Sequence, residues 1–157
     1  MCFYKTIVNY KENYIYLWQE NDDRDSFFVE NGMILRFTLE EDYQEYINEN
    51  GLDVIDEDTI IHIMPKRSLL NLKDKDILKF CNEMLNVWNL AIDIKNSFTD
   101  KITILDGNKK LYDKLFYGSN IMKSEEEEVY IPHFTDIEYW QMKAVLNDIY
   151  KWLDAKL

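Results

Sequence analysis

The sequence predicts an α+β fold in one domain spanning residues 1–157, with N-terminal antiparallel strands packed with a long central helix and a C-terminal helix. Three observations carry that expectation. Most segments with a two-residue apolar period fall in the first third of the chain, and they are rich in aromatic residues. Helix-period segments with recognisable start and stop signals dominate the remainder. Only 4 Gly and 2 Pro interrupt 157 residues that are 46% hydrophobic and 15% aromatic, so regular structure is extensive and a core is readily filled. A chain of this length buries roughly 70% of the surface its unfolded form exposes, and needs neither a disulfide nor a metal to fold.

The first strong element is Glu12–Glu20, ENYIYLWQE. Tyr14, Tyr16 and Trp18 point one way and Ile15 and Leu17 the other, which predicts a strand. Large side chains on both faces mean that it is either covered on both sides or offers aromatics to a partner. Asn31-Gly32 then marks a tight turn between the Phe27–Val29 region and a second strand over Met33–Phe37. Thr38 and Glu41 have capping-box spacing, Leu39, Tyr43, Tyr46 and Ile47 share a helical face, and Gly51 suits a left-handed terminator. A helix over Leu39–Asn50 follows.

A further strand is expected over Thr59–Met64, stopped by Pro65. From Lys75 to Phe98 runs the longest helical pattern, whose apolar residues cover roughly half the circumference, wider than a surface helix requires. Asn82, Asn86, Asn89 and Asp93 form its polar ridge. Lys95, near the end, suits the last carbonyls better than a catalytic role. A brief strand over 102–105 and a turn at Asp106-Gly107-Asn108 lead into a short helix, KKLYDKLFYGSN, ending at Gly118. Thr135 and Glu138 form a second capping box, with Phe134 and Tyr139 as its hydrophobic staple. The helix it opens, from Asp136, buries Met142, Val145, Leu146, Ile149, Trp152 and Leu153.

Charge is the strongest compositional deviation: 30 acidic against 18 basic residues, a formal −12. Such a field repels nucleic acid and anionic membranes and attracts basic proteins, although acidity also serves solubility. The N-terminal MCFYKTIVNYKEN lacks the apolar core and cleavage site of a secretory signal, and no apolar run is long enough to span a bilayer. A cytoplasmic protein is expected. Cys2 and Cys81 form no disulfide framework, and Cys81, inside the long helix pattern, is expected as a buried thiol.

Catalytic signatures are missing. His62 and His133 have no metal-ligand spacing, the acidic stretch Asp53–Asp58 lacks the glycine and distal glutamate of a calcium loop, and there is neither a phosphate-binding Gly-rich loop nor a nucleophile elbow. The chain is therefore expected to be no enzyme, to hold no metal or cofactor, and to act through a surface. Candidate partner-binding residues are the run Glu125, Glu126, Glu127 and Glu128 with the adjoining Tyr130, the acidic clusters Asp22, Asp23, Asp25 and Asp56, Glu57, Asp58, and Trp140. Trp140 lies off the apolar stripe of its helix, and is either an interface anchor or a cover for Ile131 or Phe134. The glutamate run is either a solvated loop or part of a surface built for a basic partner.

The segments NEMLNVWNLAIDI, YDKLFYGSN and ILRFTLEEDYQEYINENG resemble those of small bacterial immunity proteins from contact-dependent growth inhibition and related polymorphic toxin systems. The likeness covers about half the chain and lies in hydrophobic and turn patterning. It implies a cytosolic, non-catalytic protein that neutralises a cognate toxin C-terminal domain by covering its active site. Many such toxins are nucleases with basic substrate surfaces. The competing expectations are a hydrolase working through a carboxylate-held metal, and an acidic adaptor subunit for another basic protein.

Overall fold

The computed structural model describes residues 2–73, 75–98 and 107–157, with the side chain of Asp56 outside that description. Lys11, in the left-handed region at φ 59°, reverses the chain between β1 (Cys2–Tyr10) and β2 (Glu12–Glu20). The two pair antiparallel from Cys2↔Glu20 to Tyr10↔Glu12. β2 has the predicted bounds. β1 is an addition to the predicted strands, because Lys5 and Thr6 interrupt its apolar alternation.

The predicted Asn31-Gly32 turn forms, with φ of 51° and 78°, and joins β4 (Val29–Glu30) to β5 (Met33–Ile34). Two positive φ values in succession match the right-handed twist of a two-residue hairpin. The flanking segments turn instead to β2: β3 (Ser26–Phe27) and β6 (Arg36–Phe37) both pair antiparallel with it.

α1 (Glu40–Glu49) follows, and ends at Gly51 with φ 60°. Its predicted Thr38 cap is absent. Leu39 occupies the N-cap position with no side-chain hydrogen bond, which makes Glu41 the second helical residue and too early to complete a box. The start is displaced because Arg36 and Phe37 are held in β6, with the Phe37 ring against Tyr43 and Tyr46 at 5.5 and 5.4 Å.

β7 (Val54–His62) begins earlier than predicted and runs parallel to β1, from Phe3↔Val54 to Asn9↔His62. The parallel pair is an addition to the expected antiparallel strands, which β1, β2, β3 and β6 supply. A parallel neighbour requires a crossover, and the segment carrying α1 is part of one. The sheet order is β3-β2-β1-β7. Pro65 then becomes the N-cap of α2 (Lys66–Leu72).

α3 (Ile77–Phe98) is the predicted long helix, with Asp76 Oδ1 accepting from the Lys79 amide at 3.1 Å at its start. The strand predicted over 102–105, and Asp106 of the following turn, lie outside the described residues. α4 (Lys109–Ser119) and α5 (Asp136–Lys156) complete the order. The capping box of α5 forms reciprocally: the Thr135 amide donates to Glu138 Oε2 at 2.7 Å and the Glu138 amide to Thr135 Oγ1 at 3.2 Å. The staple rings of Phe134 and Tyr139 lie 5.7 Å apart.

The chain divides into two compact units. The first gathers residues up to Ile63, α3 from Ile92 onward, and Lys156–Leu157. Its β2 is covered on both faces: Ile15 and Leu17 form a buried cluster with Tyr43 of α1, while Tyr16, 1% exposed, packs on Phe27. The end of α3 is tied to this unit by Ser97 Oγ, which accepts from the Phe27 amide at 2.8 Å. The second unit gathers Met64–Ala91 with the later residues to Ala155. Phe80, Met84, Trp88, Leu115, Met142 and Leu146 are buried there, and α5 keeps its predicted apolar face inward, with Trp152 half-buried.

Candidate functional site

The glutamate run belongs to the second unit, in a loop that its own polar groups hold in place. α4 ends at Asn120, whose φ of 56° is left-handed, so Asn120 and not Gly118 terminates the helix. Gly118 serves packing: a Cβ there would lie 2.7 Å from both Cys81 Sγ and Pro132 Cγ. The Asn120 side chain bridges the base of the loop. Nδ2 donates to the carbonyls of Gly118 and Tyr130, both at 2.9 Å, and Oδ1 accepts from the Tyr130 amide at 2.8 Å. At the tip, the Glu127 amide donates to the Ser124 carbonyl at 3.2 Å, and Lys123 Nζ donates to the carbonyls of Ser124 and Glu127 at 2.9 and 3.0 Å. The neighbouring cation is thus engaged by backbone oxygens, and Glu125, Glu126, Glu127 and Glu128 are all exposed.

Beneath the loop lies a groove of about 390 Å³ whose walls include Phe116, Tyr117, Met122 and Tyr130, with Glu127 and Glu128 beside them. Tyr117 is 65% exposed and Met122 78%. Among the described residues, eight of the twelve large exposed apolar side chains lie in the sequence from Tyr117 to Trp140. A contiguous exposed apolar patch marks an interaction surface, and of these residues Tyr117, Met122 and Tyr130 share the groove. Trp140 is 79% exposed and Ile131 67%, while Phe134 is buried against Phe80 and Tyr139. The cover alternative for Trp140 therefore fails, and its indole shares an outer face of α5 with Ile137, three residues earlier.

The other acidic candidates lie on the first unit, and the structure separates their roles. Asp22 and Asp23 are exposed between β2 and β3. Asp25 is half-buried; its carbonyl accepts from Asn96 Nδ2 at 2.8 Å, and burial, with Glu20 nearby, pushes its carboxyl up. Asp58 is paired with Lys5, which also bridges to Glu40, at 3.1 and 2.9 Å. That carboxylate ties β7 to β1, and its side chain is 48% exposed. Glu57 is exposed, and the Asp56 side chain lies outside the described residues.

Residues 1–63 carry 15 Asp and Glu against 4 Lys and Arg, a formal −11 of the chain's −12. The glutamate run, the most visible acidic feature of the sequence, sits in the unit where the two signs almost balance. Counting along the sequence finds this asymmetry only once the division into units is known.

One carboxylate escapes sequence reasoning. Asp93, expected on the polar ridge of α3, accepts from Trp18 Nε1 at 3.2 Å. Burial pushes its pKa up to about 7, the indole hydrogen bond opposes that shift, and Asp25 adds to it. No spacing signal distinguishes Asp93 from its neighbours, because its partner is 75 residues away.

His62 lies on β7 with its Nδ1 2.6 Å from Asn9 Nδ2, and His133 is exposed before α5. Among the described residues no group of three or more His, Cys, Asp or Glu is placed to hold a metal ion. Burial pushes the Cys81 thiol up to about 11, which leaves it protonated and unreactive near neutral pH. No helix among the described residues is long and apolar enough to cross a membrane. No protein-family model, curated protein or solved structure matches this chain.

Proposed function

We propose that this chain is a non-catalytic immunity protein of a contact-dependent growth inhibition or related polymorphic toxin system. It acts in the cytoplasm, binding a cognate basic toxin domain of the nuclease type and covering the active site. The observation that carries the reading is the uneven charge: a net −11 within the first 63 residues. A nuclease attracts a polyanion to its active site, so a protein with a concentrated negative field approaches the same surface by the same forces. Steering of this kind raises association rates to roughly 10⁸–10⁹ M⁻¹s⁻¹ at low salt. Exposed aromatic residues then supply short-range contacts that slow dissociation, where most affinity differences between related complexes arise. The resemblance of ILRFTLEEDYQEYINENG and YDKLFYGSN to immunity proteins points the same way.

The test uses the product of an adjoining gene that encodes a large protein with a variable C-terminal domain. That domain, purified, forms a 1:1 complex with this chain in a calorimetric titration and loses its nuclease activity in proportion to the amount bound. A domain that keeps full activity with the chain in excess, or turnover of a substrate by this chain alone, overturns the proposal.

A further inference from the structure

We infer that the groove beneath the Glu125–Glu128 loop receives an arginine side chain, flanked by an apolar residue, from a partner protein. The inference rests on the proposed role as a binder of a basic protein, and specifies one contact of it. Three features of the groove select this occupant. Tyr117 and Tyr130 line it together with Glu127 and Glu128. Ring faces attract cations and carboxylates accept paired N–H bonds from a guanidinium, so the same ion satisfies both. Phe116 and Met122 supply apolar wall for the residue next to it. Lysine fits less well, because an ammonium is more strongly hydrated and does not stack.

The loop is also held by its own hydrogen bonds. Asn120 closes the base through Gly118 and Tyr130, and Lys123 pins the tip through Ser124 and Glu127. Lys123 also lines the groove, but its ammonium is directed to those two carbonyls and leaves the glutamate carboxylates for an incoming cation. A loop held at both ends loses little entropy on binding. The charge of the chain also argues against a second copy as occupant, since each copy brings a formal −12 toward a carboxylate rim.

The experiment titrates ¹⁵N-labelled full-length chain with three probes: acetyl-Leu-Arg-Phe-Arg-Leu-amide, the same peptide with Glu in place of Arg, and tetralysine. Amide signals of Asn120, Met122 and Tyr130 are expected to move with the arginine peptide and not with the glutamate peptide. In the Glu127→Lys/Glu128→Lys variant the dissociation constant should rise at least tenfold, and in Tyr117→Ser several-fold, while signals from the buried core stay in place. A groove silent to the arginine peptide overturns the inference. If tetralysine then still moves Asp22 and Asp23, the wider reading of a basic partner survives; silence toward both basic probes counts against both. Groove signals that move with protein concentration alone assign the groove to a second copy, and equally overturn the inference.

Discussion

The Asn120 side chain clasps the backbone of Tyr130 twice, donating to its carbonyl at 2.9 Å and accepting from its amide at 2.8 Å. Because Asn120 is also the left-handed residue that ends α4, one position controls both the stop of a helix and the closure of the acidic loop. Asn120→Gly separates the two. Glycine keeps the backbone conformation without strain and loses the bridge. The expected cost is about 1–2 kcal/mol, from hydrogen bonds each worth about 0.5–1.5 kcal/mol. Asn120→Ala should cost more by adding left-handed strain. Chemical denaturation measures both, and amide exchange at Tyr130 should accelerate in each. An unchanged exchange rate there would mean that the loop closes without the clasp.

The two capping boxes of the sequence make a matched pair with different outcomes. Thr135→Ala removes a hydroxyl that accepts from the Glu138 amide, and should destabilise the protein by about 1 kcal/mol. Glu138→Gln keeps a side-chain oxygen for the Thr135 amide and loses instead the ion pair with Lys114 at 2.9 Å, so it should cost no more than about 1 kcal/mol. Thr38→Ala removes no cap, since Leu39 holds that position, and should stay within about 0.5 kcal/mol of the parent. Thermal melts of the three variants decide whether the α1 box is absent in solution.

That contrast also shows what the chain makes readable from sequence and what it does not. Both boxes have the same spacing, yet only the one free of tertiary competition forms. Thr38 follows a residue held in β6 and packed on Tyr43, so a pairing with β2 twenty residues earlier moves the helix start. Local signals succeed where the partner is local: Asn31-Gly32, Gly51, the staple of Phe134 and Tyr139, and the alternation of β2 all appear as expected. They fail where the partner is distant. Lys5 and Thr6 conceal β1, whose pairing with β7 is more than forty residues away, and nothing in the sequence indicates that the pair is parallel. The candidate site divides along the same line. Glu125–Glu128 and Trp140 can be found by inspection, whereas the clasp that positions the loop and the pairing of Asp58 with Lys5 require the fold.

Asp93 gives the protein a pH-dependent stability whose sign follows from its raised pKa. Burial pushes the folded carboxyl up to about 7, against about 3.9 for a free Asp, so between about pH 4 and pH 7 the folded state keeps a proton that the unfolded state releases. Stability therefore falls as pH rises through this window and levels off above it, with a ceiling of about 4 kcal/mol for a shift of this size. Asp93→Asn retains an acceptor for Trp18 Nε1 and removes the charge. It should be more stable than the parent at pH 8, nearly equal at pH 4, and should show a much shallower slope between. Asp25, raised in the same sense by burial, adds to the slope, while Glu40 and Glu138, held below the usual carboxylate range, oppose it. Denaturation midpoints collected across the range test this; a variant less stable at pH 8 would mean that the carboxylate is paired by a cation.

Separating the field from the contacts requires two variants of equal charge. Reversing Glu125, Glu126, Glu127 and Glu128 to lysine takes the chain from −12 to −4, since each reversal adds two charges. Reversing Asp22, Asp23, Glu45 and Glu57, all exposed on the first unit, gives the same total. If net charge alone governed capture of a basic partner, the two would behave identically. With the negative field concentrated in the first 63 residues, the second set should slow association on the order of tenfold at low salt and flatten its salt dependence. The first set, beside the apolar groove, should chiefly speed dissociation. Trp140→Ala supplies the uncharged control: at 79% exposure its indole contributes little to folding, so the melting temperature should hold while the complex dissociates faster. Stopped-flow association and dissociation with the toxin domain proposed as partner, read for all three variants at two salt concentrations, test whether one unit steers and the other holds. Equal rate changes for both charge sets would show that the placement of the negative charge has no bearing on binding.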